Sequence, residues 1–403
     1  MEKLFENVSA NPYNEKWNKM IEREATIYDR SGDIRSDFER DYTRVLHCDA
    51  YKRLKHKTQV FFSPSNDHIC TRIEHISHVE SISHTIATYL GLNTELTKAI
   101  AIAHDLGHSP FGHAGEKILN EISKRDIGES FWHEKNGVYF VDNIELLEDD
   151  KGRLQNLNLT YAVRDGIISH CGEIDENSIK PREEAIDLND YTKPNEYAPY
   201  TWEGCVIKVS DKISYIGRDI EDALTLKLLN QNKIQELKKI LGMKPEDALN
   251  NTKIINDLVV DLCNNSSPEK GLCFSAEKLN LIDNIKKYNY ENIYGNSRMD
   301  AANEYFRVVL NRIYNTLKKL YADSKSELEE KFSYYEIFYP NIISQFKDWL
   351  NKYSYFNKRE ESNLVNRIIF SLNEKDFLKA IIEFIAGMTD NFAVDAYNEI
   401  VRF

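Results

Sequence analysis

Fourteen residues, AHDLGHSPFGHAGE from Ala103 to Glu116, place His104, His108 and His113 beside Asp105 and Glu116. Imidazoles and carboxylates so close together are the side chains that bind divalent metals and carry protons. Gly107 and Gly112, each next to a histidine, let backbone approach a ligand closely. If a helix starts near Pro110, His113 and Glu116 lie three apart on one face. A carboxylate there can fix the imidazole's tautomer and raise its pKa, as a general acid or base requires. The helix N-terminus would also attract a phosphate.

Two further segments offer ligands. His75 sits near the start of one helical pattern, His104 and Asp105 close the next, and Asp211 lies on a third. Two imidazoles and two carboxylates suit a divalent ion such as Mn, Fe, Co, Ni, Zn or Mg. Taken singly, each residue reads better as an ordinary polar residue at a helix end. In SDKISYIGRDIEDAL, Asp211, Tyr215 and Asp219 recur every four positions and drift only about 80° around a helix axis, forming one stripe. Val206, Val209, Ile213, Ile216 and Ile220 occupy the opposite face. Spacing alone also fits a solvated charged face.

Helices must position these groups. Only 16 Gly and 9 Pro occur in 403 residues, with little strict apolar alternation, so the expected class is all-α. Ile76, Val79, Ile82, Ile86 and Leu90 predict a helix from His75 to Leu90, stopped by Gly91. Asn93–Leu106, apolar on nearly every side, predicts a buried central helix. Ser109 as cap and Pro110 in the first turn predict a helix from Pro110 to Ile122. Cys171 to Trp202, with Pro181, Pro194 and Pro199, reads as a long polar loop, and helical pattern resumes from Glu203 to Leu229. The remainder to Phe403 reads as amphipathic helices. The expected division is 1–54 as an N-terminal helical segment, 55–229 as a core, and 230–403 as helices packed on it.

The net charge of -13 argues against non-specific coating of nucleic acid, although a local metal and cation cluster can still hold an anionic substrate. No apolar run approaches the roughly 18 residues of a membrane span. Six scattered cysteines without a CxxC pair favour reduced thiols and a cytoplasmic location.

The blocks TRIEH (71–75), AIAIAHDLGHSPFGHAGE (99–116) and DKISYIGRD (211–219) resemble the dGTPase-like deoxynucleoside triphosphate triphosphohydrolases of the HD superfamily. So do RDYTRVLHCDAYKRLKHKTQVF (40–61) and IAGMTDNFA (385–393), and together the blocks span most of the chain in the family's order. The resemblance implies an HD helical core with flanking helices. It also implies metal-dependent hydrolysis of dGTP or several dNTPs to deoxynucleoside and inorganic triphosphate. It makes His75, His104, Asp105 and Asp211 the metal ligands. Arg72 and Lys212 become phosphate contacts, with Arg307 reaching the outer phosphates, and His108 faces the bond to be cut. His113 with Glu116 corresponds to the catalytic dyad, as acid or as base, and His133 to a further active-site histidine. Tyr215, Asp219 and Gln59 correspond to residues that read the sugar. The DK-x-x-Y-x-x-RD form resembles the animal members, which leaves base preference and control by a nucleotide effector open. Homo-oligomerisation follows from the resemblance, and single-stranded DNA stays open as a second ligand. Rival readings are HD phosphohydrolases of cyclic nucleotides, alarmones or monophosphates, which need no sugar-reading pair, and a non-enzymatic nucleic-acid-binding role.

Overall fold

The computed structural model describes residues 3–25, 32–62, 66–171, 177–354, 363–371 and 373–402. The helices that build and support the cluster are α1 (Asp37–His47), α2 (Arg72–Leu90), α3 (Thr94–Ala103), α4 (Gly112–Asp126), α5 (His133–Tyr139) and α6 (Tyr161–Ser169). They continue with α7 (Trp202–Thr225), α8 (Asn251–Asn265), α9 (Ala276–Asn289), α10 (Ser297–Lys318), α11 (Glu374–Ala386) and α12 (Asp390–Val401). Among the described residues the fold is all-α apart from a small antiparallel hairpin, Leu146–Glu148 paired with Leu154–Asn156.

Capping explains where the inner helices begin. The Thr71 N–H donates to Glu74 Oε2 at 2.8 Å, setting the start of α2, and Gly91 at φ 89° ends it. Asn93 Oδ1 accepts the N–H groups of Glu95 and Leu96 at 2.9 and 3.0 Å and starts α3. Leu96, Ala99, Ile100, Ala101, Ile102 and Ala103 have no exposed surface, so α3 is the buried axis its composition predicts. It packs against α1, α2, α6 and α7. Burying each Ile or Leu there contributes roughly 1.5–3 kcal/mol. Gly166 lets α6 approach closely, because a Cβ there would lie 2.5 Å from Ile100 Cγ2.

Several boundaries differ from expectation: α2 starts at Arg72, α3 ends at Ala103 and α7 ends at Thr225, each within four residues of the expected position. The helix expected at Pro110 starts at Gly112, with Phe111 at φ 65° and Gly112 at φ 59° both left-handed. Tertiary capture overrides the local Ser109-Pro110 signal: the Phe111 N–H is bound by Asp390 Oδ1 at 2.8 Å, which holds the chain in a turn. Gly115 then packs on that turn so tightly that a Cβ would sit 1.8 Å from the Pro110 carbonyl oxygen.

The apolar core is not partitioned along the sequence. One cluster joins Ala10, Met20 and Phe38 near the N-terminus to α3, α4 and α6 and to Phe306–Ile400. A second gathers the outer side of α2, the apolar face of α7, and α8 and α9. No described helix is long and apolar enough to cross a membrane.

Candidate metal centre and imidazole cluster

Three elements bring the expected ligands together. His75 stands in the first turn of α2, His104 and Asp105 follow the last residue of α3, and Asp211 lies midway along α7. Ligating atoms of His75, His104 and Asp211 lie within 4.8 Å of one another, and so do those of His104, Asp105 and His170. His75 Nε2 is 2.9 Å from Asp211 Oδ1 and 3.9 Å from Asp105 Oδ2.

The donor set fits a divalent cation. His104 Nδ1 lies 2.6 Å from the Ala101 carbonyl oxygen, which can only accept, so Nδ1 carries the proton. Nε2 is left as a lone pair, and it is buried without a hydrogen-bond partner. Asp105 Oδ1, another acceptor, faces it at 3.6 Å. Two acceptors facing each other in a buried site are costly unless positive charge lies between them. His75, His104, Asp105 and Asp211 could hold such an ion.

Around this centre lies a second tier of imidazoles. His108 Nε2 is 3.1 Å from Asp105 Oδ1, and its ring stacks on His133 at 3.7 Å between centroids. Burial, with the charges of Arg72 and His133, pushes His108 well below the usual imidazole range, so it stays neutral. Asp105 goes the other way: burial opposes its charge, but the hydrogen bond from His108 and the Arg72 guanidinium outweigh burial and hold it ionised. His133 Nδ1 is 2.8 Å from Glu116 Oε2. Burial disfavours the imidazolium of His133, yet Glu134 and Glu116 raise it to about 9. His113 Nδ1 lies 3.5 Å from the same Glu116 oxygen, with its side chain 69% exposed. Glu116 therefore grips the buried His133 more tightly than the exposed His113, and His113 is the imidazole open to an incoming molecule.

The remaining expected residues divide. Lys212 and Asp219 are buried and Tyr215 is half-buried, so the α7 stripe turns inward and is not a solvated face. Asp219 Oδ2 accepts a short hydrogen bond from the Tyr294 hydroxyl, and burial raises its carboxyl to about 6. Arg72 is buried and donates from Nη1 to Asp105 Oδ2 at 2.7 Å, with Nη2 3.4 Å from the Gln59 carbonyl oxygen. The Gln59 side-chain oxygen is buried without a partner. Arg307 is not brought into the cluster. It pairs with Glu121 on α4, while its neighbour Phe306 stacks on Phe111 at 4.3 Å.

Several residues at the site went unassigned in the sequence. His170 Nε2 is 3.9 Å from Asp105 Oδ1, and Cys171 Sγ lies 3.2 Å from both His133 Nε2 and His170 Nε2. The adjacent His-Cys pair was a usable signal at the end of α6. Lys57 donates to the carbonyl oxygens of His108 and Ala386, and Tyr294 reaches Asp219 from the turn after α9. Neither contact leaves a periodic trace. All six cysteines are free thiols.

The HD domain family model matches residues 72–216, the stretch that runs from Arg72 through Asp211. A deoxyguanosinetriphosphate triphosphohydrolase-like protein of Caldanaerobacter subterraneus subsp. tengcongensis is 32% identical over 369 residues, covering 91% of this chain and 86% of that protein. Proteins of the same name from Rickettsia bellii and Rickettsia prowazekii are each 30% identical over 91% of this chain and 92% of their own. Kinship along nearly the whole length, together with the buried His/Asp centre, places the chain among the deoxyguanosinetriphosphate triphosphohydrolase-like proteins of the HD-domain family.

Proposed function

We propose that the protein hydrolyses deoxynucleoside triphosphates, dGTP or several dNTPs, to deoxynucleoside and inorganic triphosphate with a divalent ion at His75, His104, Asp105 and Asp211. The observation that carries this reading is the buried acceptor cluster, adjoined by a carboxylate-backed imidazole tier and sharing α7 with the inward Tyr215–Asp219 stripe. The native ion is one of Mn, Mg, Fe, Co, Ni or Zn. When bound, it supplies Lewis acidity, polarising a phosphoryl oxygen and offsetting transition-state charge.

The chain's own groups do the rest. Lys212 and Arg72 face the phosphates, and Arg307 would have to leave Glu121 to meet the outermost. Neutral His108, stacked on His133, meets the phosphate at the scissile bond as a hydrogen-bonding partner. His113, exposed and oriented by Glu116, passes a proton to the leaving 5′-oxygen or takes one from water. His133 holds Glu116 in place. Tyr215 fills the space a 2′-hydroxyl would occupy, Asp219 accepts from the 3′-hydroxyl, and Gln59 meets the sugar edge.

We divide the chain into a catalytic core at 55–229 with helical flanks at 1–54 and 230–403. A cytoplasmic homo-oligomer, with a nucleotide effector or single-stranded DNA as further ligands, completes the proposal. The test is a panel of four deoxy- and four ribonucleoside triphosphates with Mn or Mg, products separated by chromatography. Deoxynucleoside release restricted to the deoxy series supports the reading; equal turnover of GTP and dGTP overturns its sugar selection.

A further inference from the structure

On the side of His133 away from Glu116 lies a thiol that nucleotide hydrolysis does not use. Cys171 Sγ is 3.2 Å from His133 Nε2 and 3.2 Å from His170 Nε2, and the three ligating atoms lie within 4.8 Å of one another. Both histidines are buried, at 3% and 1% exposure.

Each imidazole has its tautomer set from behind. His170 Nδ1 is 2.7 Å from the Ile167 carbonyl oxygen, which only accepts, so Nδ1 carries the proton. His133 Nδ1 is 2.8 Å from the Glu116 carboxylate, again an acceptor. His170 presents a bare Nε2 lone pair to the sulfur, and His133, raised to about 9, presents there an N–H whose proton an incoming ion displaces. A cation seated among the three atoms gains one sulfur and two ring nitrogens as ligands. A carboxylate behind one ligating imidazole and a backbone carbonyl behind the other is the support that metal-binding histidines require.

We propose that Cys171, His133 and His170 form a second cation site, selective for a thiophilic divalent ion such as Zn²⁺ or Co²⁺. One thiolate and two imidazoles suit borderline-soft ions, whereas the carboxylate-rich set of His75, His104, Asp105 and Asp211 accommodates harder ones. On binding, Cys171 and His133 Nε2 each release a proton to solvent, and the freed sulfur and nitrogen lone pairs form bonds to the ion together with His170 Nε2. The two sites adjoin, since His170 Nε2 is 3.9 Å from Asp105 Oδ1 and the His104 and His170 rings are 4.9 Å apart. An ion on His133 Nε2 closes that nitrogen to protons while Nδ1 stays with Glu116. This inference stands on the ligand geometry and does not depend on which nucleotide is cleaved.

The test is titration of the metal-free full-length chain with Co²⁺, read by bound cobalt per chain and by the thiolate-to-cobalt charge-transfer band in the near ultraviolet. Among the described residues no other cluster of potential ligands contains a cysteine, so the band reports this site. The wild-type chain should take a second equivalent and develop the band. Asp211→Ala should lose cobalt at the first site and keep the band. Cys171→Ser and Cys171→Ala should lose the band and one equivalent, with far-ultraviolet circular dichroism unchanged. A wild-type chain without the band overturns the proposal, and so does a band that survives both Cys171 substitutions. Unchanged cobalt stoichiometry in folded Cys171→Ala would assign His170 to the first ion and overturn it equally.

Discussion

The Phe111 N–H donates to Asp390 Oδ1 at 2.8 Å across 279 positions of sequence. The other oxygen of the same carboxylate accepts the Thr58 N–H, also at 2.8 Å. Lys57 adds a parallel tie, donating to the carbonyl oxygens of His108 and Ala386. The turn between His108 and His113 is thus fastened to the start of α12. Phe111 keeps its left-handed backbone there, a conformation that costs a non-glycine residue roughly 1–3 kcal/mol and persists only where its surroundings impose it.

Asp390→Ala should therefore act on the active site from far along the chain. It strands two backbone donors, each costing roughly 1–3 kcal/mol when left unsatisfied. A lower urea midpoint with a reduced kcat is expected, and Asp390→Asn, which retains one acceptor, should fall between. Unchanged midpoint and kcat in Asp390→Ala would show that the tie does not hold the loop.

Removing ligands should separate metal from fold. Asp211→Ala and the double change His104→Ala/Asp105→Ala should abolish turnover and bound metal with helix content largely intact. These side chains come from three elements whose packing is apolar and independent of them. Elemental analysis beside circular dichroism checks this; an Asp211→Ala protein that kept both its metal and its rate would refute the ligand assignment.

His113→Ala should lower kcat by roughly 10² to 10⁴-fold, the range for a positioned acid or base, with metal retained. Glu116→Gln should be milder, and it should disturb His133 as well, because Glu116 Oε2 sits closer to His133 than to His113. Saturating kinetics decide the matter: a His113→Ala enzyme with undiminished kcat has no dyad at this position.

Sugar selection should follow the α7 stripe. Tyr215→Ala should relax the preference for deoxy- over ribonucleotides, and Asp219→Ala should remove the response to a missing 3′-hydroxyl. The Asp219 carboxyl, raised to about 6 by burial, is protonated below that pH. A neutral carboxyl accepts the 3′-hydroxyl more weakly, so kcat/KM for dGTP should fall as pH drops through about 6, on a limb the 2′,3′-dideoxy analogue lacks. The Tyr294 hydroxyl favours the carboxylate, so Tyr294→Phe should move that limb to higher pH. Identical acid limbs for dGTP and the dideoxy analogue would remove Asp219 from sugar binding.

The parts of this site legible in the sequence are those set by local spacing. Period-four recurrence put Asp211, Tyr215 and Asp219 on one stripe, and the apolar surface of α3 marked it as the buried axis that delivers His104 and Asp105. The rest depends on contacts between segments far apart. No local rule turns Phe111 left-handed or links Lys57 to Ala386, and Ser109-Pro110 signals a helix start that Asp390 overrides. Arg307 shows the converse. It is expected at the outer phosphates, but an acidic neighbour on α4 holds the guanidinium away from the cluster.

The central claim is that this cluster directs cleavage between the 5′-oxygen and the α-phosphorus of a deoxynucleoside triphosphate. Phosphorus NMR of dGTP incubated with the metal-loaded wild-type protein tests it most directly. Intact inorganic triphosphate should appear in step with deoxyguanosine, and Asp211→Ala should yield neither. Pyrophosphate with dGMP, or orthophosphate with dGDP, as the first products would contradict the account.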